Sequence, residues 1–200
     1  MAERGTSVLA TDISPQMLQV AREKLAKAHG VAEVRLQQLA WETLDSLDEP
    51  PFDGVLSNFG GLNCVQDLRA VVPALARCVK PGGVAVLCVM GRLVPWEWLW
   101  FLAQGKPASA FRRLKSGGAV WSGVRVAYPS VADLRTALEP EFAVARTSAI
   151  GALVPPPYSE KYLGRFRRVL SVMNSVERRC ETWWPLPHLA DHYLMELVRV

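Results

Sequence analysis

The sequence is poor in the residues that build metal centres and covalent frameworks. Its four cysteines, Cys64, Cys78, Cys88 and Cys180, include no Cys-x-x-Cys pair. That argues against a disulfide framework or a zinc ribbon and fits reduced thiols in a cytoplasmic protein. It has three histidines. His29 ends a helix where a surface role is expected, and His188, Asp191 and His192 have ligand-like spacing without a fourth ligand, so no metal is expected. No Gly-x-Gly-x-x-Gly occurs, which weighs against a nicotinamide-dependent oxidoreductase. No long apolar run occurs either: Val84 to Ala103 is interrupted by Arg92, Pro95 and Glu97, a poor membrane span. The short run Val8-Leu9-Ala10 behind Arg4 makes no signal peptide. Repeats and low-complexity tracts are absent. A net charge of +4 is too mild to imply nucleic acid. Much of the excess lies at Arg165, Arg167, Arg168, Arg178 and Arg179, read as the solvated face of a helix.

What is present suits a packed core. Half of the 200 residues are hydrophobic and 21% are charged, which predicts a single domain over 1–200. Strands alternate with helices, so the expected fold is α/β with a mostly parallel sheet covered on both faces. Strands are expected at Ser7–Asp12, Val31–Leu39, Phe52–Phe59, Val84–Val89, Val124–Tyr128, Phe142–Ile150 and Asp191–Val200. Ser14 caps a helix with Pro15 in its first turn, running to about His29 with Gly30 as its stop. Trp41–Leu47 is a short helical or irregular turn. Asp67 opens a helix ending near Val79, and Lys80-Pro81-Gly82-Gly83 is a turn. Ser130 and Asp133 resemble a capping box for the helix Val131–Leu138. Ser159–Glu181 is a long amphipathic helix with Tyr162, Phe166, Val169, Leu170, Met173 and Val176 along one stripe. Residues 91–123 differ in character and read as an inserted helical, lid-like segment. Trp96 and Trp100 there are four apart, and either seal the sheet edge as core or close over an apolar acceptor.

The string Asp12-Ile13-Ser14-Pro15-Gln16-Met17-Leu18, at the end of a strand, resembles the class I S-adenosylmethionine-dependent methyltransferases. Phe52-Asp53-Gly54-Val55-Leu56-Ser57-Asn58-Phe59 is similar to that family's fourth strand. Leu75 to Val84, through Lys80-Pro81-Gly82-Gly83, is similar to its entry into the fifth. The last strand matches its reversed seventh. The resemblance implies a Rossmann-like sheet with a reversed last strand, a helical insertion after the family's fifth strand, and S-adenosylmethionine as cofactor. It implies that Asp12 binds the ribose hydroxyls, that Ile13 packs on the adenine, and that Ala40-Trp41-Glu42 reads the adenine ring. Leu39 and Ala40 stand where the family often has an acid, which leaves a backbone amide near Trp41 for that task. Asn58 orients either the acceptor or the methionine end of the cofactor, or is a turn residue before Gly60-Gly61.

The family's first strand and its Gly-x-Gly loop have no counterpart ahead of Asp12. Ala2 to Gly5 look like the tail of the helix that follows that loop. The expectation is a shortened chain: Met1 is an internal start, the sequence is incomplete, or another chain fills the gap. The function implied is methyl transfer to a small molecule. The alternative is a non-enzymatic remnant or scaffold that no longer holds cofactor. Methyl transfer asks little of side chains, since alignment supplies much of the catalysis, and no catalytic base is assigned. Pro155-Pro156-Pro157-Tyr158 matches a peptide motif for groove domains, but between a strand and a helix it reads as a rigid connection or the lip of the substrate pocket. With Trp96 and Trp100, Tyr158 is a candidate acceptor-binding residue. No nucleic-acid partner and no membrane span are expected, and no oligomeric state follows.

Overall fold

The computed structural model describes residues 1–30, 32–58, 60–115, 117–121, 123–155 and 166–200. By internal contacts the chain forms two compact units, Met1–Asp48 and Glu49–Val200.

The first unit is a strand–helix–strand. Strand β1 (Val8–Asp12) and strand β2 (Val34–Gln38) pair in parallel, residue for residue from Val8 with Val34 to Asp12 with Gln38. Helix α1 (Pro15–Leu25) connects them, its start fixed by the Ser14 hydroxyl, which accepts the Met17 amide at 3.3 Å. The helix stops at Leu25, short of His29. The amides of Lys27 and Ala28 turn back to Lys24 and Leu25 in tighter three-residue loops, and the segment is exposed. The second strand is likewise shorter than its apolar run, because β1 offers only five residues to pair with.

In the second unit four strands run in the order β3 (Phe52–Ser57), β4 (Val79–Met90), β8 (His192–Arg199), β7 (Phe142–Ile150). Strand β3 is parallel to β4, whereas β8 is antiparallel to both β4 and β7. The fold is thus the α/β Rossmann-like architecture with a reversed last strand. The centre is dry: Ala85, Leu87 and Val89 of β4 and Met195 and Leu197 of β8 are fully buried on alternate positions. Helix α2 (Leu68–Cys78) starts where Asp67 accepts the amides of Arg69 and Ala70. Helix α5 (Val131–Leu138) carries the capping box, with Ser130 Oγ accepting the Asp133 amide at 3.1 Å.

Two expectations need correction, and a third falls partly outside the described residues. The strand expected at Val84 begins at Val79, so Lys80 to Gly83 lie inside β4. The turn survives as a register break opposite Phe52 and Gly54, with Gly82 at φ 76°. The inserted segment is not helical throughout. After α3 (Pro95–Ala103), α4 (Pro107–Ala110) and a 3-10 turn at Arg112–Leu114, it ends in an antiparallel hairpin of β5 (Ala119–Trp121) and β6 (Val124–Val126). Gly117, Gly118 and Gly123 take positive φ there, and a side chain at Gly118 would sit 2.1 Å from the Val126 carbonyl oxygen. The long amphipathic helix is described as α6 (Arg167–Cys180), while residues 159–165, with Tyr162 and Arg165, lie outside the described residues. Its apolar stripe stays open to solvent at Phe166, Val169 and Val176, and its buried residue is Glu177. Glu177 accepts the amides of Gly151, Leu153 and Val154 at 2.8, 2.6 and 3.1 Å, which anchors the helix by charge-assisted hydrogen bonds.

Candidate functional site

In the first unit, Asp12 and Gln38 end the two parallel strands side by side. Ligands in such sheets bind beyond the carboxyl ends of the strands. Asp12 Oδ1 accepts the Ser14 amide at 2.8 Å, which fixes the carboxylate at the strand end and leaves Oδ2 for a ligand. Ile13 follows with 64% of its surface exposed, an apolar side chain held in water beside a carboxylate. The Gln38 side-chain amide donates to the Ile13 carbonyl at 3.1 Å and steadies this turn. The Leu39 amide donates to the Asp12 carbonyl, and Ala40 then leads into the 3-10 turn Trp41–Ser46. Asp12, Ile13, Ala40, Trp41 and Glu42 therefore gather at one end of one strand pair. Glu42 is exposed; Ala40 and Trp41 are half-buried.

The second unit has its own cluster beyond its strand ends. Asn58 follows β3 and is exposed. Asn63, fully buried, spans the gap between β4 and the hairpin. Its side-chain amide donates to the carbonyls of Met90 at 3.3 Å and Ala127 at 2.7 Å, and its Oδ1 accepts the Met90 amide at 2.9 Å. Trp96 donates its indole N–H to the Leu153 carbonyl at 3.0 Å, and Trp96 and Trp100 are both half-buried. Between those tryptophans Glu97 is 1% exposed and is paired by Arg112 and by Arg113, whose Nε stands 2.6 Å from Oε2. Arg113 also meets Asp191 Oδ1 at 2.6 Å through Nη2. Burial pushes the Glu97 carboxyl up, against the pull of Arg113 and Arg112. For Asp191 burial raises as well, but the hydrogen bond from His192 and the Arg113 charge outweigh it, and the carboxyl is held below its usual range. Tyr193 closes the cluster: its hydroxyl donates to the Pro129 carbonyl at 3.1 Å. Burial lifts its pKa far above the ordinary phenol value.

A cavity of about 550 Å³ opens beside this cluster, floored by Leu62 and Val65 and walled by Arg92, Arg113, Lys115 and Tyr128. None of the sequence-derived candidates lines it. Asn63, Glu97 and Asp191 also went unseen as organising residues. A carboxylate inside a tryptophan-rich helix, with two adjacent arginines further along the chain, is the sequence signal for Glu97. Tyr158 lies outside the described residues. Asp191 and His192 are engaged with Arg113 and with each other, His192 Nδ1 standing 3.1 Å from Asp191 Oδ2. Among the described residues no group of three or more His, Cys, Asp or Glu side chains converges to hold a metal. No helix of the described residues is long and apolar enough to cross a membrane. None of the four cysteines forms a disulfide.

Residues 1–83 match a family model described as a methyltransferase domain. A ubiquinone biosynthesis O-methyltransferase from Alkalilimnicola ehrlichii is 40% identical over 92 residues, 46% of this chain and 36% of that protein. A demethylmenaquinone methyltransferase from Tropheryma whipplei is 32% identical over 91 residues, 44% of this chain and 34% of that protein. The chain thus spans little more than a third of the length of the curated relatives it matches. Among solved structures, an S-adenosylmethionine-dependent methyltransferase from Methanosarcina mazei superposes with a TM-score of 0.61 at 14% identity, over all of this chain and 84% of that one. One from Mesorhizobium loti superposes with a TM-score of 0.56 at 17% identity, over 96% of this chain and 80% of that one. These two likenesses establish the fold.

Proposed function

We propose, from the premise that this chain belongs to the class I S-adenosylmethionine-dependent methyltransferase family, that it binds S-adenosylmethionine and directs its methyl group to a small-molecule acceptor. The observation that carries this reading is Asp12, one carboxylate oxygen locked by Ser14 and the other open, beside a solvent-exposed Ile13. That pairing fits a nucleoside: Asp12 holds the ribose hydroxyls, Ile13 packs against adenine, and the backbone and side chains of Ala40, Trp41 and Glu42 read the ring edge. Asn58 orients the methionine end or the acceptor. When bound, the cofactor supplies an electrophilic methyl on a sulfonium. The protein's part is alignment and exclusion of water. A base is needed only for a nucleophile that keeps its proton, and no residue is assigned that role.

Trp96, Trp100 and Tyr158 are candidate acceptor-binding residues, and the 91–123 segment acts as a lid. The 200 residues act as one methyltransferase-like domain in the cytoplasm. The relatives' names, for ubiquinone biosynthesis and for demethylmenaquinone, support a small organic acceptor. Incubation with methyl-labelled S-adenosylmethionine and a panel of phenolic quinone precursors tests the reading. Label in the extracted small molecule is the expected result. Cofactor binding without transfer to any acceptor counts against the activity. Absence of cofactor binding favours the non-enzymatic scaffold.

A further inference from the structure

We propose that the 550 Å³ cavity of the second unit receives a small molecule with an apolar body and a single carboxylate, held by Arg92 and Lys115. This rests on the reading above that the protein takes a small methyl acceptor; it names the acceptor's class and seats its carboxylate apart from Trp96 and Trp100, which do not line the cavity. The cavity opens beyond the carboxyl ends of β3 and β4, since Leu62 and Val65 follow β3 and Arg92 follows β4. Acceptors and cofactors of open α/β sheets lie at that end.

The charge of the lining sets the ligand's charge. Four cations line it, Arg69, Arg92, Arg113 and Lys115, against the carboxylates of Asp67 and Asp133. Arg113 is already committed to Glu97 and Asp191 and is neutralised there. Arg69, Arg92 and Lys115 are exposed, and the Asp133 carboxyl is held below its usual range by its hydrogen bonds with Ser130 and by the Arg92 charge. Three cations less two carboxylates leave one positive charge, which matches a monoanion. A phosphate ester would bring a second negative charge towards Asp67 and Asp133. Those carboxylates do other work, capping α2 and closing the α5 capping box, and neither can turn away. Leu62, Val65, Ala127, Pro129 and Ala137 supply the apolar part of the lining, which suits the apolar body. Gly117 and Gly118, both at φ 80°, line the cavity without side chains.

Titration calorimetry of the full chain with benzoate, benzamide and phenyl phosphate tests this, with S-adenosylhomocysteine titrated in parallel. Benzoate is expected to bind, benzamide at least tenfold more weakly, and phenyl phosphate no tighter than benzoate. Arg92→Gln and Lys115→Gln are each expected to weaken benzoate about tenfold, to keep the wild-type melting temperature, and to leave S-adenosylhomocysteine affinity within twofold. Equal binding of benzoate to wild type and both variants, equal binding of benzamide, or tighter binding of phenyl phosphate overturns the proposal, as does the absence of saturable benzoate binding. Loss of S-adenosylhomocysteine binding alone, with benzoate binding intact, overturns the cofactor reading and leaves the cavity assignment standing.

Discussion

Arg113 Nε stands 2.6 Å from Glu97 Oε2, with 8% and 1% of the two side chains exposed. The pair bolts helix α3, which carries Trp96 and Trp100, to the wall of the cavity. Its second arm reaches Asp191 just before β8. Removing one partner of a buried ion pair leaves an uncompensated charge in a dry site. Arg113→Met is therefore expected to cost about 3–5 kcal/mol and to lower the melting temperature by roughly 10 °C. Thermal unfolding followed by circular dichroism measures it; a shift under about 2 °C contradicts the assignment of this cluster as the organiser of the segment.

The pH dependence follows from Asp191. Its folded carboxyl is held below the ordinary value of 3.8, so its pairing stabilises the fold above that value and is lost as pH falls through the lower folded one. Asp191→Asn is expected to lower stability at neutral pH and to flatten the decline of melting temperature on acidification. Unchanged steepness below about pH 4 in the variant would remove Asp191 from the acid response.

Glu177 anchors α6 through three backbone amides. Truncating it strands those donors in a part-buried site, at a cost of about 3 kcal/mol. Glu177→Ala is expected to speed hydrogen exchange at Leu153 and Val154 selectively, read by amide exchange. Uniform exchange rates in both proteins argue against the anchor.

Gly91 leaves no room for a side chain: a Cβ there would sit 2.2 Å from the Ala190 carbonyl oxygen. Gly91→Ala is expected to destabilise by roughly 2–3 kcal/mol, seen as a lower urea midpoint. A wild-type midpoint would mean that β4 and the chain before β8 approach less closely.

What was legible in the sequence is what local chemistry decides. Ser14 with Pro15, Asp67, and Ser130 with Asp133 each mark a helix start that the structure keeps, because a cap is satisfied within three residues. Asp12 and the turn at Ala40 were legible because both follow the ends of short apolar runs that pair in parallel. The start of β4 was not, since Pro81 and Gly82 read as a break while pairing with Phe52 extends the strand through them. Nor was β5 at Val120, the partner of the strand expected at Val124, since glycine geometry rather than apolar alternation sets that pairing. The ion cluster joins Glu97, Arg113 and Asp191 across distant stretches, and no sequence period records such a contact. For the same reason the cavity, assembled from α2, α5 and the insertion, had no signature of its own.

The proposed function stands or falls with Asp12 as the residue that grips the ribose of the cofactor. The most direct measurement is the affinity for S-adenosylhomocysteine of the wild type and of Asp12→Asn, by titration calorimetry. Loss of charge-assisted hydrogen bonds predicts saturable binding by the wild type and an affinity at least about tenfold weaker in the variant. Equal affinity of the two proteins, with both folded, contradicts it.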